Sequence, residues 1–291
     1  MKTVTYHKGF YPVRQIICGL LILFVTIGFS ACAPKQEKVV DPGSERIYRI
    51  TVSDRFGRIS SEFWTIAKLE KLGVKTITSS YFDRAMKYDD AEFKVVSLLK
   101  IISQFELKSG EDAILLNCFD DYQGILPISD ALKYDLQLAT KIELGFGSSK
   151  PGWLNPLLVV VPDGKEPPFE ERFLTANIRE LKFVRSSNYY GPLRKIAKVS
   201  KEANQGFEVY KNNCLFCHSL KGRGGNKGAR LLQVYEFANE IGQKKFLNNF
   251  KSFHHKDNAD KQDVEQFVTR DQLQRVMDFL LAVKRSEEKK S

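Results

Sequence analysis

Residues Cys214-Leu215-Phe216-Cys217-His218 spell C-x-x-C-H, and whatever fold the chain takes must build a pocket around them. Two thiols three residues apart at the end of a helix can each add to one vinyl group of a c-type haem. An imidazole directly after the second thiol then falls beneath the iron as its proximal ligand. The competing uses of C-x-x-C are a redox dithiol, which sits in a strand-turn-helix setting, and a zinc site, which needs a second ligand pair. Neither accompanies residues 214–218. The chain has five cysteines, Cys18, Cys32, Cys118, Cys214 and Cys217. With Cys18 and Cys32 in an export-type leader and two thiols committed to haem, only Cys118 is left, so no intramolecular disulfide framework can form.

Haem of this type is attached outside the cytoplasm, and the N-terminus agrees with that destination. Residues 1–15 carry Lys2, Lys8 and Arg14 and no acid, and residues 16–29 are an apolar run. That run is short for a span, which needs about 20 residues, and suits the core of a signal peptide. Phe29-Ser30-Ala31-Cys32 resembles the cleavage box of bacterial lipoproteins. The resemblance implies a signal peptide over residues 1–31 and a lipid on Cys32. Ala33 and Pro34 after it point to the outer membrane, with residues 32–45 as a tether. An uncleaved, tilted anchor is the alternative; either form holds the body at a membrane on the periplasmic side.

The formal charge is +10, and removing residues 1–31 with their three cations leaves +7. An exported haem protein has no nucleic-acid partner. Lys211, Lys221, Arg223, Lys227 and Arg230 are instead expected to steer an acidic redox partner or anionic lipid. The remaining length accommodates two modest domains. Short apolar segments at 47–52, 113–117, 157–161 and 181–184 read as strands. Residues 93–105 carry one amphipathic helical stripe, and residues 128–138 form a weaker helix with Ser129 as N-cap. Residues 46–190 are therefore expected to be a mixed α+β domain. A linker at 191–200, an all-α domain at 201–286 and a charged tail at 287–291 follow.

The segment from Gly206 to Lys284 resembles single-haem class I cytochrome c domains. Its motif continues as Leu220-Lys221-Gly222-Arg223-Gly224-Gly225, similar to the glycine loop of that family, and Gly206 and Phe279 stand where the family crosses its first and last helices. The resemblance implies that the Ala229 carbonyl holds the proximal His218 N–H, although the family's proline is missing there. The family's methionine ligand is also missing: Val264 stands in its place. Met277 falls on the apolar side of the final helix, as core filler. His254 and His255 are the candidates for a distal iron ligand, in what reads as a polar loop. If neither binds, the iron is five-coordinate and open to a small gas.

Upstream, Cys118-Phe119-Asp120-Asp121-Tyr122 and the strands around it resemble the sulfite-oxidase-type molybdopterin-binding fold. That resemblance makes Cys118 a candidate molybdenum ligand. Residues 45–190 contain no histidine, which counts against a pterin cradle, and a buried structural thiol is the other reading. Asp120 and Asp121 read as turn residues, and no catalytic residues are assigned. The chain is thus expected to be a tethered electron carrier with one haem, rather than a catalyst. A molybdopterin oxidoreductase with a fused haem acceptor, or a haem-based gas sensor, are the alternatives.

Overall fold

Short alternating segments in the first half of the chain pair into two β-sheets in the computed structural model, which describes residues 46–53, 58–107, 110–257 and 268–289. The strands are β1 Tyr48–Ser53, β2 Ile59–Trp64, β3 Val74–Thr78, β4 Glu92–Ser97, β5 Ala113–Cys118, β6 Gln123–Pro127, β7 Gln137–Glu143, β8 Leu158–Val160 and β9 Ile178–Val184. The helices are α1 Ile66–Glu70, α2 Ser80–Met86, α3 Leu98–Ile102, α4 Ile128–Lys133, α5 Ser186–Ala197, α6 Lys201–Val209, α7 Leu231–Val234, α8 Glu240–Asp257 and α9 Arg270–Glu288. One sheet runs β2-β1-β9-β5-β6 and the other β3-β4-β7-β8. Ile50, Leu116, Leu181 and Phe183 of the first share one apolar cluster with Phe93, Val95, Leu138 and Val159 of the second.

Strand β9 lies at the centre of the larger sheet, parallel to β1 and antiparallel to β5. Its Glu180 is buried and holds both neighbours. Arg49 contacts both carboxylate oxygens, at 2.8 and 2.9 Å, and Thr51 and Asn117 each donate at 2.7 Å. Burial pushes this carboxyl up, but the donations from Arg49, Thr51 and Asn117 outweigh it and leave the group below its ordinary value.

The expected strands at 47–52, 113–117, 157–161 and 181–184 are present with shifted ends. The helix expected over 93–105 is instead strand β4 followed by α3. Val95 and Val96 are both buried, and that doublet breaks the two-residue alternation into something helix-like; the register irregularity opposite them leaves Thr140 of β7 as the extra residue. The helix expected over 128–138 stops at Lys133 and gives way to β7, and its N-cap is Pro127, not Ser129. Residues 191–200, expected as a linker, lie largely in α5, whose Tyr190, Leu193 and Ala197 are buried. The leader, the tether with Cys32, and Val264 lie outside the described residues. Among the described residues, no helix is long and apolar enough to cross a membrane.

Helices α5, α6 and α9 build a second apolar cluster. Ser200 caps α6 by accepting from the Ala203 N–H, and Thr269 and Gln272 form a reciprocal capping box at the start of α9. Asp271 stands in the first turn of α9. The two helices touch at Gly206, where a β-carbon would overlap the Arg275 carbonyl and crowd Phe279. Phe207 and Tyr210 pack their rings 5.5 and 5.7 Å from that of Phe279. Gly206→Ala should therefore cost about 3 kcal/mol, because the obstacle is backbone and cannot rotate away. Thermal unfolding measures this. Glu180→Gln should cost about 2 kcal/mol at neutral pH, the low end for a buried pair because Arg49 is half exposed. The glutamate's folded value is depressed, so its contribution is full above its ordinary 4.5 and lost as pH falls through the folded value. Urea titrations of both proteins from pH 7 to 3 should converge at the acid end.

Candidate haem site

Helix α6 does not end on a cap but runs into a π-helical turn, Tyr210–Cys214, with the Leu215 N–H bonded to the Tyr210 carbonyl at 2.9 Å. The wider turn carries Cys214 off the α6 path. The His218 N–H bonds the Cys214 carbonyl at 2.8 Å, and the Tyr210 hydroxyl donates to the His218 carbonyl at 2.9 Å. The chain then folds back over the motif. Lys221, Gly222 and Gly224 adopt positive φ, the Gly225 N–H donates to the Leu215 carbonyl at 2.9 Å, and that of Gly228 to the Cys217 carbonyl at 2.8 Å. A β-carbon at Gly228 would strike the His218 ring.

Cys214, Cys217 and His218 line one cavity of about 610 Å³, with Leu231, Tyr235, Phe246, Val268 and Leu273 among its apolar walls. That volume falls within the range of cofactor pockets. Neither Cys214 nor Cys217 is in a disulfide, and burial pushes the Cys214 thiol up to about 12. His218 Nδ1 lies 2.7 Å from the Ala229 carbonyl oxygen. Burial pulls the imidazole below its ordinary value; the Ala229 carbonyl opposes this and neighbouring His254 adds to it. A neutral ring that donates through Nδ1 presents its Nε2 lone pair to the cavity. Two thiols and an imidazole so prepared, in an apolar cavity, fit a covalently attached haem.

Residues 203–284 match the cytochrome c family model. The chain carries a C-terminal cytochrome c domain. Such a domain implies covalently bound haem c and a role in electron transfer. No curated protein matches the chain.

The other candidates are placed apart or differently. His254 lines the cavity from α8, on a helix rather than in the expected polar loop. The His255 side chain lies outside the described residues. Met277 is buried in the core-facing side of α9. Cys118 is 1% exposed within the first apolar cluster, its Sγ 3.7 Å from the Leu116 carbonyl oxygen. Among the described residues, no three His, Cys, Asp or Glu side chains gather for a metal ion. Of the expected steering cations, Lys227 and Arg230 are exposed. Lys221 pairs with Glu287 at 2.7 Å, Lys211 pairs with Glu208, and Arg223 donates to the carbonyls of Tyr189 and Lys221.

Sequence reasoning missed the contribution of the β5–β6 turn to this site. Tyr122 lines the cavity and stacks on Phe216 with ring centres 5.0 Å apart. The Gln123 N–H donates to the Phe216 carbonyl at 3.0 Å, and the Asn226 N–H to the Asp121 carbonyl at 2.8 Å. The Gln123 side-chain oxygen accepts from the Gly224 N–H at 3.0 Å and from the Tyr189 hydroxyl. Burial pushes that hydroxyl up to about 12, so it remains a neutral donor. Asp121, at φ +67°, holds the left-handed position that a glycine fills most easily and aspartate tolerates. Gln123→Ala should destabilise the protein by about 1 to 2 kcal/mol. Amide exchange should speed up at Gly224 and Gly225 but not in α9; equal acceleration at both places would mean the turn does not hold the loop.

Proposed function

We propose that the protein is an exported, membrane-tethered electron carrier with one haem c. In this reading Cys214 and Cys217 would hold the haem through thioethers, and His218 would ligate its iron. The observation that carries it is the convergence of those three side chains on one apolar cavity, with His218 Nδ1 fixed on Ala229. When bound, the haem supplies a one-electron iron couple. The chain's part is to exclude water with Leu231, Tyr235 and Phe246, to keep the proximal imidazole in one tautomer, and to hold the 220–228 loop against the turn at Asp121–Gln123. Residues 46–190 serve as a docking body for the redox partner. Lys227, exposed and on the cavity rim, with exposed Arg230 close by in sequence, favours a partner with an acidic face.

Export rests on the leader in residues 1–31, and tethering on lipid at Cys32. Cys32→Ser should move the protein from the membrane to the soluble fraction. The competing oxidoreductase needs molybdenum on Cys118, and the burial of that thiol in an apolar cluster favours a structural role.

Expression with haem-attachment machinery and molybdenum in the medium tests the function. Haem that stays with the chain in denaturant, one iron per chain and a reversible one-electron couple are expected, and the Cys214→Ala/Cys217→Ala double variant should retain none. Wild-type protein without covalent haem would overturn the assignment, and molybdenum near one per chain would make the protein an oxidoreductase.

A further inference from the structure

His254 and His218 both line the cavity. Their ring centres are 6.0 Å apart, with planes at 67°. Two imidazoles bound on opposite sides of one metal atom, with bonds of about 2 Å each and about 1.2 Å from nitrogen to ring centre, have centres about 6.4 Å apart. The observed spacing is close to that value, and both rings line the same cavity.

Both rings are also fixed by the same chemistry. His218 Nδ1 is 2.7 Å from the Ala229 carbonyl oxygen, and His254 Nδ1 is 2.7 Å from the carbonyl oxygen of Phe250, one turn back in α8. With its proton held on Nδ1, each imidazole keeps a lone pair on Nε2, and such a backbone partner is what metal-bound histidines commonly have. The Phe250 ring lies 4.4 Å from that of His254, tilted by 41°, and limits its rotation. Met277, the methionine nearest in sequence to the family's ligand position, is buried in the α9 packing face and does not line the cavity.

We infer that His254 is the second axial ligand of the haem iron, opposite His218, which makes the site a bis-histidine centre. This inference rests on the proposed attachment of haem to Cys214, Cys217 and His218. Imidazole in place of a thioether removes the preference for ferrous iron that methionine brings. The centre therefore works at a lower potential than a His/Met site, and its filled sixth position resists small gases.

The test uses the full, haem-loaded chain. Haem content is first measured in denaturant as the pyridine complex, which does not depend on axial ligands; spectra and carbon monoxide binding follow for wild type, His254→Ala and His255→Ala. Covalent haem with a low-spin spectrum, lost in His254→Ala together with a gain of carbon monoxide binding but retained in His255→Ala, is the expected result. Added imidazole should restore the low-spin spectrum of His254→Ala. If His254→Ala does not fold, His254→Met serves instead: it should stay low-spin with a raised potential, and an unchanged potential overturns the inference. A high-spin wild type, a low-spin His254→Ala, or loss in His255→Ala also overturns it while leaving haem attachment intact. Absence of covalent haem in the wild type removes both.

Discussion

Because Gly206 has no side chain, α6 can lie directly against the Arg275 carbonyl of α9, and the position of the haem site follows from that approach. Phe207, Tyr210 and Phe279 close around the crossing, and full burial of such rings is worth about 2 to 3 kcal/mol each. Tyr210 belongs to the π-helical turn that delivers Cys214, and its hydroxyl binds the His218 carbonyl. Helix packing and ligand placement are thus fixed by the same residues. A change that separates α6 from α9 would move the thiols and the imidazole together.

The site was more legible in the sequence than the fold around it. C-x-x-C-H is a local pattern, and the glycines at 222, 224 and 228 announce a loop wherever they occur after it. The pairing of Gly206 with Phe279 was legible only through the resemblance to cytochrome c domains, whose first and last helices cross at the matching places. The sheets were harder. Strand β4 buries two successive valines, which hides its alternation, and β2 and β3 are mostly exposed edge strands with little apolar pattern to find. Helix α8 is polar along most of its length, so its residues resembled a loop until tertiary packing of Phe246 supplied the missing apolar anchor.

The resemblance of Cys118-Phe119-Asp120-Asp121-Tyr122 to a cofactor motif has a different physical content in this chain. Cys118 is a core thiol at the end of β5, Asp121 supplies the left-handed turn, and Tyr122 covers Phe216. A short hairpin turn with an aromatic at its exit satisfies both descriptions, so the linear motif could not distinguish a metal ligand from a clamp on a neighbouring loop. The two apolar clusters also meet here, since Ile125 of β6 packs against the second.

The clamp bears on the order in which the protein can mature. Phe216 is fastened by its carbonyl to Gln123 and by its ring to Tyr122, and Cys214, Leu215 and Phe216 are all buried. In the haem reading, thioether formation needs access to both thiols, so it would precede closure of the β5–β6 turn over Phe216 or require that turn to open.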